Sequence, residues 1–134
     1  MESIALYFVA ATLGGMIFFA LGIAPAVFKS LSSQDAGAFL RVLFPRYYIG
    51  LIIGSAAAGI FFLKSAAVAS IICFSIAIST LWVRQSLVPR INQLRDAELA
   101  GDKIAGSRFA KMHRLSVGIN MIQLIGLLGL VILY

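Results

Sequence analysis

The chain has little charge, one histidine and one cysteine, and each shortage removes a class of function. Only 12% of its 134 residues are charged, against 61% hydrophobic, too few to coat a water-soluble domain. The lone cysteine, Cys73, cannot form an internal disulfide and leaves the redox compartment unread. Its apolar neighbours, Ile72 and Phe74, mark an inert buried thiol. The lone histidine, His113, falls short of the roughly two to four nitrogen or sulfur donors that metal sites assemble. Five acids, Glu2, Asp35, Asp96, Glu98 and Asp102, all lie outside the long apolar runs. An intramembrane carboxylate relay or cation site is thereby excluded. No GxSxG turn accompanies the histidine, so serine-hydrolase chemistry lacks its parts. There is no nucleic-acid motif either, and the net charge of +6 is explained by membrane topology and attraction to anionic head groups.

What is present is hydrocarbon. A mean hydropathy of +1.01 asks for a bilayer as solvent, and four apolar runs supply the spans, at about residues 4–24, 46–63, 66–86 and 115–134. The expectation is a single domain over 1–134, an all-α, integral membrane up-down bundle of four transmembrane helices. The first run lacks the basic start and cleavage site of a signal peptide and reads as a retained helix. Tyr47, Tyr48 and Trp82 supply interfacial anchors.

Ten of the 11 basic residues fall in the first and third connections; only Lys64 lies in the second. The positive-inside rule then places both long connections in the cytoplasm and both termini outside, in a plasma (inner) membrane. In the first connection Ser32 and Asp35 form a capping box. Ala36, Phe39, Leu40, Leu43 and Phe44 follow at one-face spacing, predicting a short amphipathic cytoplasmic helix. Pro45 then opens helix two as a first-turn proline. Arg46 has two readings: snorkelling to head groups, or pairing with Asp96, Glu98 or Asp102. The third connection is a predicted helical hairpin, starting at a helix-breaking Pro89 and interrupted at Gly101 and Gly106. Pro25 is expected to bend or end helix one.

Polar residues in the spans form two stripes. At about 100° per residue, His113, Ser116, Asn120 and Gln123 fall within an arc of roughly 80° on helix four. Ser75, Ser79, Trp82 and Ser86 fit one of roughly 60° on helix three. An unpartnered amide is costly in lipid, so both stripes should face protein or water. Three readings stay open. The stripes glue helices three and four together. Alternatively they line a cytoplasm-facing vestibule for a small solute or lipid head group, with His113 and Arg114 at its mouth. In the third, His113 ligates haem or copper in a membrane oxidoreductase, with Met16 or Met121 as soft ligands. Small residues, Ala11, Gly15 and Gly22 on helix one and Gly50, Gly54 and Ala58 on helix two, suit close helix packing, within the bundle or in a homo-oligomer or with a membrane partner.

The blocks GAFLRVLFPRYY at 37–48, VPRINQLRD at 88–96 and FAKMHRLSVGIN at 109–120 resemble the transmembrane-protein-205-like family, small four-helix membrane proteins of a domain of unknown function. The resemblance implies the same four spans. It matches Phe44, Pro45, Arg46 and Tyr47, and His113, Arg114, Ser116 and Asn120, to the family's recognisable blocks; it implies no reaction. The reading is therefore a non-enzymatic membrane protein, an accessory or small-solute or lipid-handling bundle that needs no cofactor.

Overall fold

The computed structural model describes all of residues 1–134. It is all-α, with four helices long and apolar enough to cross a membrane: α1 (Glu2–Ser30), α2 (Ser33–Phe62), α3 (Ala67–Leu99) and α4 (Lys103–Leu133). Only 27 of the 134 residues are buried, while Tyr7, Leu21, Ile78, Ile122 and Ile132 are largely exposed around the outside. An apolar exterior of this extent is solvated by lipid and not by water.

Each helix carries a proline or glycine that the sequence reads as a break, and the chain mostly passes through them. Pro25 does not end α1, and Pro89 does not break α3. Both follow a five-residue π-helical stretch by the same interval, Phe19–Ile23 before Ala24–Pro25 and Val83–Leu87 before Val88–Pro89. The wider turn is closed by i to i+5 bonds, Ala24 N–H to the Phe19 carbonyl and Val88 N–H to the Val83 carbonyl. It makes room for a ring that would otherwise strike the carbonyl four residues back. Pro45 lies inside α2 and does not open it. The amphipathic stretch is thus the first third of one 30-residue helix and not a separate element. The Ser32 hydroxyl caps it by accepting the Asp35 N–H at 3.1 Å. In the third connection the break falls at Gly101, whose φ of 107° suits glycine. Gly106 lies within α4, which starts behind the Asp102 cap.

The core is a seam of residues spaced three, four or seven apart: Val9, Leu13 and Met16 of α1, Leu51, Ala58 and Phe62 of α2, Cys73 and Ile76 of α3, Leu127 and Leu130 of α4. Aromatic contacts tie the helix ends together. Phe8 stacks on Phe61 at 5.8 Å, Phe19 on Tyr47 at 4.6 Å, and Phe62 meets Tyr134 at 5.6 Å.

At the basic end the two long connections are joined by Arg41, not Arg46. The Arg41 guanidinium donates to both Asp96 carboxylate oxygens, at 2.8 and 3.3 Å, and to the Asn92 carbonyl. Arg46 lies one turn and a half further along α2 and donates to the carbonyl of Val42 on its own helix. Arg84 Nε donates to the Pro45 carbonyl at 3.1 Å, fixing α3 to α2. The small residues are also used differently from expectation. Gly54 faces the Thr12 hydroxyl of α1, but a Cβ on Gly15 or Gly50 would meet nothing. With Ala11 these two line an open groove of about 430 Å³ between α1 and α2.

Candidate functional site

A second cavity, of about 260 Å³, lies between α1, α2 and α4 toward the basic end. Its α1 wall comes from the π-helical stretch. The widened turn carries Phe19 and the small Ala20, and Ala24 follows. The equivalent position to Ala20 in the π stretch of α3 is Arg84, counting from the start of each stretch. That long side chain reaches across to α2, whereas alanine leaves its volume vacant. Two similarly built helices therefore differ in what stands at this position of the π turn.

The α2 wall is aromatic. Phe44 and Tyr48 stack at 5.8 Å with ring planes 19° apart, and Tyr47 stacks on Phe19 with planes 27° apart. The two stacked pairs are tilted against each other by 51–70°, so the four rings form a compact aromatic cluster of faces and edges. The α4 wall brings His113, Ser116, Val117, Asn120 and Met121. The cavity is thus bordered by α1, α2 and α4, and not by α3, where the stripe on helix three had suggested a vestibule between helices three and four.

Polar groups in this cavity are few. The Ser116 hydroxyl donates to the His113 carbonyl at 2.8 Å, so it is satisfied within its own helix. Tyr47 donates its hydroxyl to Asn120 Oδ1 across 3.4 Å. Asn120 Nδ2 is buried and has no hydrogen-bond partner. His113 is exposed at the mouth, its ring parallel to Phe109 one turn earlier at 5.9 Å. No lysine, arginine, aspartate or glutamate lines the cavity.

The remaining members of the two stripes go elsewhere. Gln123, 5% exposed, donates its amide to Ser79 Oγ at 2.8 Å and to Thr80 Oγ1 at 3.1 Å. Both hydroxyls in turn donate to the Ile76 carbonyl. This is a polar cross-link between α4 and α3, one turn deeper than Asn120 and separate from the cavity. Ser75, Trp82 and Ser86 are exposed on the outside of α3 and join neither group. Arg114 points away and bonds the Ala110 carbonyl. Pro45 contributes only its carbonyl to Arg84, while Arg46 lies at the basic end of the α1–α2 groove.

Thr80, Phe19 and Tyr48 carry no site signal in the sequence. Thr80 neighbours Ser79, and a helical step of about 100° turns it from the partly buried flank to the bundle axis. Nothing in the local sequence of Phe19 distinguishes it from Phe18, which is exposed. For the haem or copper reading, His113 and Met121 share the cavity, but Cys73 and Met16 are in the core, and no group of three or more His, Cys, Asp or Glu side chains could hold a metal ion. His113 is the one nitrogen donor such a cofactor would find.

A family model described as a domain of unknown function (DUF4149) matches residues 7–100. No curated protein matches the chain, and no solved structure does.

Proposed function

The chain belongs to the DUF4149 family, and on that premise we propose a non-enzymatic integral membrane protein that binds a small lipophilic molecule in the cavity between α1, α2 and α4. One observation carries the reading. A cavity of about 260 Å³ among three helices is walled by Phe19, Phe44, Tyr47 and Tyr48 and has no lysine, arginine, aspartate or glutamate in its lining, which suits an apolar guest of matching size. The head group of an anionic lipid fits poorly inside, because no cation lines the walls.

The finer arrangement belongs to this proposal too. The pairing of Phe8 with Phe61 and of Phe19 with Tyr47 supports an up-down order of helices. The basic end, with Arg41, Arg84 and Arg95, is placed in the cytoplasm by the positive-inside rule, with both termini outside a plasma (inner) membrane and anionic head groups around the basic end. Membership of the transmembrane-protein-205-like family is supported by the FPRYY and VPRINQLRD blocks, which fall within the matched residues. Association with a second copy or another membrane protein would use the exposed glycines of the α1–α2 groove.

The test is retention. Native mass spectrometry of the protein extracted in mild detergent should find a co-purifying neutral lipophile, and Ala20→Leu, which fills the cavity, should lose it. Equal retention by the filled variant would remove the cavity as the site.

A further inference from the structure

The open groove between α1 and α2 is separate from the cavity of the proposed function, and its chemistry differs. Its floor runs along α2 from Arg46 through Gly50 to Gly54, a rise of about 12 Å, opposite Gly15, Ala11 and Phe8 of α1. Ala11, Gly15 and Gly50 are exposed, and a Cβ on either glycine would meet nothing. The groove of about 430 Å³ is thus open to the lipid side, with no side chain of its own to fill it. Its one charged residue is Arg46, which stands where the second apolar run begins. Arg46 donates one guanidinium N–H to the Val42 carbonyl, one turn toward the basic end. That is the direction in which a snorkelling arginine meets head groups. Its other donors have no protein acceptor, and neither ion pair of the molecule includes it.

The two ends of the groove make different demands on one occupant. The glycine strip, in hydrocarbon, is covered best by a slender, unbranched chain in close dispersion contact. The guanidinium calls for an oxyanion, which it binds through two parallel N–H bonds. No acid lines the groove, so a choline or ethanolamine ammonium finds no partner there. A second copy of the chain fits worse. All copies insert with one orientation, so a two-fold partner seated on this face turns about an axis normal to the membrane and sets two Arg46 guanidinium groups at the same depth, with no acid between them.

We propose that the groove binds one anionic phospholipid of the leaflet at the basic end, its phosphate held by the free N–H donors of Arg46 and one acyl chain lying along Gly50 and Gly15. A diffuse attraction of the basic end for anionic lipid is thereby focused on one residue and one groove.

The test incubates the full chain, in detergent and freed of lipid, with equal amounts of dioleoyl phosphatidylglycerol and dioleoyl phosphatidylcholine, and reads the retained lipid by native mass spectrometry. The native protein should retain one phosphatidylglycerol with a preference of about fivefold. Arg46→Gln should bring the two lipids to near equality. Gly50→Leu fills the groove without a clash at its Cβ and should lower phosphatidylglycerol retention severalfold while thermal unfolding shows a folded protein. Gly15→Leu repeats that test from α1, so a folding defect in one variant does not decide it. Arg114→Gln should leave the preference intact: Arg114 is also exposed, also precedes an apolar run and also bonds the carbonyl four residues back, but it lines neither the groove nor the cavity. Equal losses in Arg46→Gln and Arg114→Gln would mean diffuse attraction and overturn the site. Retention unchanged in both leucine variants would overturn the groove as the seat of the chain. A dimer that both leucine variants dissociate, with a lipid preference that Arg46→Gln does not alter, would give the groove to a second copy.

Discussion

Arg41 of α2 and Asp96 of α3 meet at 2.8 Å across 55 residues of sequence, and the Arg41 guanidinium also holds the Asn92 carbonyl. Both side chains are exposed, so solvent weakens the pair and its direct contribution to stability is small. Its consequence is geometric: it ties the start of α2 to the end of α3, outside the apolar seam. Asp96→Asn or Arg41→Ala should raise protease cleavage around Gly101 severalfold with little change in global unfolding. Arg46→Ala, whose guanidinium bonds only its own helix, should leave cleavage unchanged. Equal effects of Arg41 and Arg46 variants would dismiss this tie.

The same pair sets a pH dependence. The hydrogen bond from Arg41 holds the Asp96 carboxyl below its ordinary value of 3.8. A lowered folded-state value means that the contribution is present in full above the ordinary carboxylate range and fades as pH falls through the lowered value. Protection of the Gly101 turn should accordingly persist at neutral pH and decline under acid, and Asp96→Asn should lessen that decline, the Asp102 cap beside the turn keeping its own share.

The Gln123 cross-link is expected to be modest. Gln123→Leu removes two donated bonds, but Ser79 and Thr80 keep their bonds to the Ile76 carbonyl, so no buried hydroxyl is stranded. Interhelical bonds of this type average about 0.6 kcal/mol in membrane bundles. A double-mutant cycle of Gln123→Leu with Thr80→Val should therefore give a coupling of roughly 0.5 to 1.5 kcal/mol in reversible unfolding. A coupling indistinguishable from zero would show that the two side chains do not meet.

Glycines on the α1–α2 face should separate into two kinds. A Cβ at Gly54 would collide with the Thr12 hydroxyl, which is engaged with the Phe8 carbonyl at 2.7 Å; Gly54→Ala should cost roughly 1 to 3 kcal/mol through forced helix separation. Gly50→Ala meets open space and should be neutral or stabilising by up to about 1 kcal/mol, as expected for alanine replacing a helical glycine. The comparison is made by unfolding the two variants side by side. Loss of stability in Gly50→Ala would point to a second chain packed in the groove.

Orientation is tested with a membrane-impermeant thiol reagent on intact cells. Cys73 is buried and should stay unlabelled in the folded protein, serving as a silent background. A cysteine placed at Ser65 should react from outside, and one at Ser107 only after the membrane is opened. The reverse pattern would invert the proposed topology.

Membrane insertion and the four spans follow from the linear chain, because hydropathy summed over about 20 residues does not depend on which neighbour a helix finds. The clustering of cations in two connections is likewise a property of the chain alone. Local capping was legible at Ser32, where the hydroxyl and the N–H it accepts lie three residues apart. Helix continuity through Pro25, Pro45 and Pro89 was not. Single-residue propensity counts the missing N–H but not the π turns at Phe19–Ile23 and Val83–Leu87, which depend on neighbouring turns. The polar stripe of α4 was visible as an arc. Its division, with Gln123 against α3 and Asn120 against a cavity bounded by α1 and α2, came from packing, since an arc of roughly 80° on one helix can touch two neighbours at once. The cavity has Ala20 in its wall, at the position of the π stretch where α3 carries Arg84. That difference acquires meaning only once four helices surround a common axis.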